Sequence, residues 1–169
     1  GMSWSRTPNR IRHRPRHLRA PCAREAEFQA YRTSFRVRGR FPSGGLQTNG
    51  FSLARRVIFD LCQYSWKDKL PGTNQTFGEA LLAVHKSFLK PVSKLLERKI
   101  KITGMAHITG GGFPDNIPRV LPKAVNAEID RDAWEVPTIF KFIQNQGKVD
   151  RDEMYRVFNM GIGYVVILP

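Results

Sequence analysis

Three consecutive glycines, Gly110, Gly111 and Gly112, are the feature of this sequence that points most directly to chemistry. They follow a strand-like segment and precede a short helix, so their backbone N–H groups can approach an anion closely. Arg119, further along, offers a bidentate donor to a phosphate. The spacing matches neither the Walker pattern nor the dinucleotide fingerprint. The residues by themselves therefore predict a phosphate or carboxylate site and leave a purely structural turn as the alternative.

Two histidines, His85 and His107, precede the three glycines in the sequence. His107 ends the strand before the glycines, and taken alone it is more typical of a hydrogen-bonded strand-end histidine than of a catalytic group. His85 lies in a helical stretch without a partner motif and is predicted to be structural. Only the place of His107 beside the glycines favours a catalytic role.

Two groups of acidic residues could be mistaken for metal ligands. Both stand where helices are predicted to begin, and carboxylates at that position stabilise the free N–H groups and the helix dipole. We interpret them as caps and predict no metal site; the residues are Asp130 and Asp132, and Asp150, Asp152 and Glu153.

Helices and strands alternate in the segments that must position these residues. Apolar residues at helical spacing predict an amphipathic helix over 51–61, and over 77–99 either two helices or one helix broken at Pro91. The other segments are a polar loop over 65–75, a strand over 100–108, a helix over 136–146, a helix from Asp150 to Val157 and a strand in GIGYVVIL. This alternation predicts an α/β fold with a mixed sheet packed by helices.

The net charge of +14 is concentrated at the start of the chain. Residues 1–40 hold 11 arginines, no lysine and two glutamates, a net charge of +9, whereas 41–169 carry +5. The first segment has few aliphatic residues and no sustained period, so we expect a mostly disordered extension, of out-of-frame or foreign origin. Clustered arginine leaves a nonspecific polyanion-binding tail open, but no motif predicts a specific nucleic-acid partner.

Cysteine content and hydropathy indicate a cytoplasmic protein. Cys22 and Cys62 give neither a disulfide framework nor a zinc quartet, and we expect both to be free thiols. No apolar run approaches the ~20 residues that span a bilayer, and the arginine-rich start lacks the apolar core of a secretory signal. We therefore expect no membrane partner.

The string HITGGGFPDNIPRVLP resembles the glycine-rich signature of the aminoimidazole ribonucleotide synthetases. Three further stretches agree with that family in the same order: PSGGLQTNGFSLAR, the pair Trp134 and Pro137, and EMYRVFNMGIGYVV. The resemblance covers nearly all of 41–169 and none of 1–40. Residues 41–169 are thus identified as a C-terminal domain of this type, incomplete at its C-terminal end.

This resemblance implies an ATP-dependent cyclo-ligase of purine synthesis, which closes formylglycinamidine ribonucleotide to aminoimidazole ribonucleotide. ATP would activate the formyl oxygen as a phosphate ester, and an amidine nitrogen would then attack that carbon. ATP and Mg²⁺ are the implied cofactors of the intact enzyme. The N-terminal domain that holds them in the family has no counterpart here, so we expect neither to bind tightly and the chain alone to be inactive. The expected partners are that domain, a phosphorylated small-molecule substrate and further copies in a homo-oligomer.

The resemblance also implies which residues form the site. His107 would be the catalytic residue, at the edge of its strand. The residues implied to bind the substrate or its phosphate are Ser43, Thr48, Asn49, Gly110, Gly111, Gly112, Asn116 and Arg119.

Two departures from the family pattern fall in the first of these loops. The family usually has a second serine where this chain has Gly44, and a histidine where it has Gln47. A glutamine does not titrate, so Gln47 cannot replace a histidine that transfers protons. Other members of the superfamily are the formylglycinamidine ribonucleotide synthetase, selenophosphate synthetase and thiamine phosphate kinase types. The NIPR and FNMGIG segments favour the cyclo-ligase over these.

Overall fold

The computed structural model describes residues 34–36, 39–123 and 125–169. The predicted disorder of the extension and the predicted free thiol of Cys22 lie outside the described residues. The end of the extension does contain strands, β1 (Ser34–Arg36) and β2 (Gly39–Pro42). The folded unit therefore begins before Phe41, where the family resemblance was expected to start.

The predicted α/β class is confirmed, with the strands in two small sheets rather than in one mixed sheet. The central strand of the larger sheet is β5 (Ile162–Ile167), which pairs antiparallel with β2 and with β3 (Gly104–His107). A short strand β4 (Asn126–Glu128) pairs in parallel with β1. Periodicity identifies strands, but it does not identify their partners. The continuous apolar run of β5 matches its central position, because five of its six residues are buried.

The described residues form six α-helices, together with one π-helical and one 3₁₀ segment. In chain order they are α1 (Phe51–Arg55) with the π-helical segment Arg56–Leu61, α2 (Phe77–Leu81), α3 (Leu89–Glu97), α4 (Gly112–Asn116) with the 3₁₀ segment Pro118–Val120, α5 (Thr138–Gly147) and α6 (Arg151–Val157). None of the helices in the described part of the chain is long and apolar enough to cross a membrane.

The segment 77–99 forms two helices, but the expected position of the break was wrong. The chain leaves helical geometry over 82–88, between α2 and α3, and Pro91 lies inside the first turn of α3. A proline is tolerated there because the N–H that it lacks would have no helical partner. The start of α2 is set by a capping box in which Thr76 and Glu79 bond each other's backbone N–H groups.

The acidic residues divide between one confirmed helix cap and one wrong assignment. Asp150 caps α6 by accepting a hydrogen bond from the Asp152 backbone N–H at 2.8 Å. No helix begins at Asp130 or Asp132; they lie in a turn, where Asp132 forms an ion pair with Arg151 at 2.7 Å. Pro137 disfavours helical geometry in the residue before it, so α5 starts only after that proline.

The core lies where the central strand, α1, α5 and α6 come together. Its largest fully buried side chains are Tyr155, Phe77, Phe140, Phe158, Leu46, Ile58, Leu70, Ile108, Ile117, Ile143, Met154 and Met160. Each such side chain contributes about 1.5–3 kcal/mol through its removal from water. Leu46, within the loop over 43–49, and Ile108 and Ile117, on either side of the glycine loop and α4, belong to this core, so the core holds both loops directly.

Candidate functional site

The glycine loop after β3 has a backbone that only glycine adopts easily. Gly111 and Gly112 have φ angles of 86° and 57°, in the left-handed region. A Cβ atom at Gly112 would overlap the backbone carbonyl oxygen of Tyr155 in α6. Gly110, in contrast, is exposed and open, with only Asn49 nearby. Gly111 and Gly112 therefore shape the loop, and Gly110 presents it to solvent.

The buried side chain of Asn116 holds the glycine loop in place through hydrogen bonds. Its buried side-chain Nδ2 donates to the carbonyl oxygens of Gly112 at 2.7 Å and Gly110 at 3.1 Å, with Thr109 O at 3.3 Å. The Thr109 hydroxyl donates to Asn116 Oδ1 at 3.3 Å. The structure places this residue in the predicted site, but its amide is engaged by the loop. Asn116 therefore positions the loop, and its binding of substrate stays a prediction.

The second predicted loop, over 43–49, is held in the same way by Asn159. The Ser43 hydroxyl and the Gly161 N–H both donate to Asn159 Oδ1, at 2.9 and 2.8 Å. Asn159 Nδ2 donates to the carbonyl oxygens of Gly45 and Leu46, at 2.9 and 3.4 Å. Ser43 is thus part of a buried network. The sequence reasoning missed Asn159, although an isolated asparagine between apolar residues in FNMGIG was an available signal.

The two loops meet at one point. Asn49 Oδ1 lies 3.4 Å from the position that a Cβ atom on Gly110 would occupy. Thr48, beside Asn49, is exposed. The structure therefore brings together the two segments that were expected to face one cleft, with Asn49 and Gly110 at their contact.

Gln47 combines an unfavourable backbone geometry with a buried side-chain amide that lacks hydrogen-bond partners in the described residues. Its φ angle is 61°, in the left-handed region, and only 8% of the residue is exposed. Neither Nε2 nor Oε1 of its amide, nor Nδ2 of Asn49, has a hydrogen-bond partner among the described residues. The Gln47 amide lies over Gly163 of β5 and beside the ring of Phe88, since a Cβ atom at Gly163 would be 2.7 Å from Gln47 Nε2 and 2.5 Å from Phe88 Cζ.

His107 lies in a row of rings across the larger sheet. Phe41 and His107 are the cross-strand partners of Tyr164, at ring distances of 6.5 and 6.2 Å. The ring of His85 lies 5.3 Å from that of His107, so His85 is a neighbour of the site rather than remote from it. Partial burial, and then the charge of His85, lower the pKa of His107 below its ordinary value of 6.5. At neutral pH its imidazole is uncharged and can accept a proton.

Two charged residues, Asp115 and Arg119, follow the glycine loop in the sequence. Arg119 is exposed on the 3₁₀ segment, while the Asp115 carboxylate lies against Gly111. The backbone N–H groups of Gly110 and Gly111 have no protein acceptor within the part of the chain described. Over 34–36, 39–123 and 125–169, no three residues of His, Cys, Asp or Glu are grouped as a metal ion requires. The described residues therefore offer no ready-made cluster of protein ligands for a magnesium ion.

Relatives with curated names share this region of the chain. Phosphoribosylformylglycinamidine cyclo-ligases of Alkaliphilus metalliredigens and Thermoanaerobacter pseudethanolicus are 47% and 51% identical to it over 126 residues. The chloroplastic enzyme of that name from Arabidopsis thaliana is 50% identical over 127 residues. These matches cover 75% of this chain and 36%, 37% and 32% of the respective relatives. The chain therefore spans about a third of the length of the relatives it matches.

The family described as AIR synthase related protein, C-terminal domain, matches residues 40–169. The match includes both loops of the site, the histidine at the end of β3 and the two asparagines that hold the loops in place. With its α/β architecture and these segments in the same order, the chain belongs to the AIR synthase related protein C-terminal domain family.

Proposed function

We propose that this chain forms the substrate-binding part of an ATP-dependent cyclo-ligase that closes formylglycinamidine ribonucleotide to aminoimidazole ribonucleotide. One observation carries the proposal. The two loops implied by the resemblance lie side by side, with Asn49 against Gly110, in a chain about 50% identical to relatives named as this cyclo-ligase. Cytoplasmic location and a homo-oligomeric state belong to the same proposal.

The glycine loop would bind the phosphate of the substrate. The free N–H groups of Gly110 and Gly111 are donors without a protein acceptor in the described residues, and Arg119 is an exposed cation nearby in sequence. The carboxylate of Asp115 opposes an anion at this position, so phosphate binding requires its side chain to turn outward. Such a rotation is available because Asp115 is exposed.

His107 would take up the proton that ring closure releases. When the amidine nitrogen attacks the formyl carbon, the C–N bond forms, the activated oxygen leaves as phosphate, and the nitrogen loses a proton. A histidine with a lowered pKa is uncharged before this step and can accept that proton. The phosphoryl group that makes the formyl oxygen a leaving group is supplied by ATP when it is bound.

The region of the relatives that this chain does not match would supply the nucleotide site. The chain spans about a third of the relatives' length, and the part that the structure describes has no group of three metal-ligating side chains. We therefore propose that the 169-residue chain does not turn over alone, and that the separately expressed remaining region of a relative restores turnover.

The assay follows ADP release and ring closure from formylglycinamidine ribonucleotide with magnesium and potassium present. We expect no turnover by the chain alone, turnover by the mixture, and a loss of about 10²–10⁴-fold in the mixture containing His107→Ala. The Gln63→Leu variant, at an exposed residue outside both loops, serves as a control for nonspecific effects of substitution. Turnover by the chain alone would contradict the requirement for the other region. Full activity of the mixture that contains His107→Ala would contradict the proposed role of His107 in proton transfer.

A further inference from the structure

The candidate site contains three buried polar atoms that lack a hydrogen-bond partner in the described residues: Nε2 and Oε1 of Gln47 and Nδ2 of Asn49. More than nine in ten buried polar groups in proteins are paired, because an unpaired one loses its hydration without compensation. Three such unpaired atoms in one short loop therefore lower the stability of the fold. All three belong to side chains within two residues of each other.

The backbone of the same loop is also held in an unfavourable geometry. Gln47 adopts a φ angle of 61°, where a residue with a long side chain is strained. Strain of this kind persists where the surrounding structure imposes it, and it clusters at binding sites. Here the network of Asn159 imposes it, by fixing the carbonyl groups of Gly45 and Leu46 just before Gln47.

The unpaired atoms also indicate what kind of group would pair with them. The Gln47 amide offers one acceptor and one donor side by side, and Asn49 adds a donor. A phosphate offers acceptors alone and would leave Gln47 Oε1 without a partner. A planar group with an N–H beside an acceptor, such as a carboxamide, a formamide or an amidine, satisfies both edges of the glutamine. The flat ring of Phe88 beside the Gln47 amide suits such a planar group.

We propose that Gln47 and Asn49 form a subsite for a planar amide or amidine group of the substrate. This inference rests on the proposed function and assigns to the subsite the formylglycinamidine end of the substrate, while the glycine loop holds the phosphate end. Asn49 lies at the contact between the two loops, which places the subsite next to Gly110. Gln47 does not titrate, so it recognises the group by hydrogen bonding and leaves proton transfer to His107.

The first experiment tests the subsite without the nucleotide substrate. The side-chain NH₂ resonances of the isotope-labelled full chain are followed while N-methylformamide or acetamidine is added, with inorganic phosphate as the comparison ligand. We expect the Gln47 resonances to shift with the amide and amidine probes and not with phosphate. Asn49 lies against Gly110, so phosphate at the glycine loop shifts its resonances as well, and Gln47 alone distinguishes the ligands. Absence of a Gln47 shift with both probes, or an equal Gln47 shift with phosphate, would overturn the subsite.

The second experiment measures calorimetric binding of formylglycinamidine ribonucleotide and of ribose 5-phosphate, which lacks the amide end. Gln47→Leu keeps the side-chain volume and removes both hydrogen-bonding atoms, and Gln63→Leu, at an exposed glutamine with a similar φ angle of 57° outside both loops, is the matched control. We expect Gln47→Leu to weaken binding of the first ligand about tenfold or more and to leave the second unchanged. Equal weakening of both ligands, or of neither, would overturn the proposal.

The two experiments also separate this inference from the proposed function. Suppose that the unmodified chain binds neither formylglycinamidine ribonucleotide nor ribose 5-phosphate, but the amide and amidine probes still shift the Gln47 and Asn49 resonances. The substrate assignment then fails and the subsite stands. If both sugar phosphates bind and Gln47→Leu binds them as well as the unmodified chain does, the proposed function stands and the subsite fails.

Discussion

The two loops of the site are held in place in the same way, but they differ in whether their own polar side chains are hydrogen-bonded. Each is held by one buried asparagine, Asn116 for the loop over 109–112 and Asn159 for the loop over 43–49. In the first loop the asparagine amide and the threonine hydroxyl are hydrogen-bonded, while in the second the Gln47 amide and Asn49 Nδ2 are buried without partners in the described residues. A loop that binds through its backbone can satisfy its side chains internally. A loop that binds through its side chains must leave them free.

The largest expected effect comes from the backbone of the glycine loop. Gly112→Ala should destabilise the fold by more than about 3 kcal/mol, because the new methyl group would overlap the Tyr155 carbonyl and the residue has a positive φ. Gly110→Ala, in the open position of the same loop, should change stability by less than about 1 kcal/mol. Urea unfolding of both variants measures the difference. Equal losses would show that the two glycines do not have separate roles.

Removal of the asparagine supports should have the next largest effect. Asn159→Ala should cost about 3 kcal/mol, because it removes two acceptor and two donor interactions in a fully buried network. Asn116→Ala should cost about 2 kcal/mol for the same reason on a smaller scale. Thermal unfolding, with the exposed Thr48→Ala as the control, measures both losses. A neutral Asn159→Ala would mean that the loop over 43–49 does not depend on this network.

Replacement of Gln47 should stabilise the fold, whereas replacement of either asparagine should destabilise it. Gln47→Leu should raise the free energy of unfolding by about 1 kcal/mol, because it removes buried polar atoms that have no partner in the described residues. Urea unfolding of this variant beside Asn116→Leu, which should be destabilised, tests the contrast between the two loops. A loss of stability in Gln47→Leu would indicate that the amide is already paired in the folded chain.

The smallest expected effect is the titration of His107. Its pKa lies below 6.5 because of partial burial and then the charge of His85. The folded state thus binds fewer protons than the unfolded state, and this contribution lowers stability as the pH falls below about 6.5. NMR titration should show the low pKa, and His85→Ala should raise it partway. An unchanged His107 pKa in His85→Ala would leave burial as the sole cause.

Local rules predicted the helices, strands and motifs of this chain well. The cap at Asp150, the strand in GIGYVVIL and the strand, glycine loop and short helix around 104–116 all appear where the sequence indicated them. These features depend on neighbours within a few residues, through apolar periodicity, capping and the conformational freedom of glycine. The break was expected at Pro91 but falls over 82–88, because a proline is tolerated in the first turn of a helix, where Pro91 lies in α3.

The sequence by itself determined the α/β class, the glycine loop and the family to which the segment belongs. Only the tertiary structure decided which polar groups hold the loops and which remain free. The bond between Ser43 and Asn159 joins residues 116 positions apart, and the proximity of His85 to His107 depends on how the segment after α2 crosses the sheet. Such contacts follow from packing against a shared core, which no local pattern encodes. That the Gln47 amide lacks a partner among the described residues becomes visible only when the atoms around it have positions.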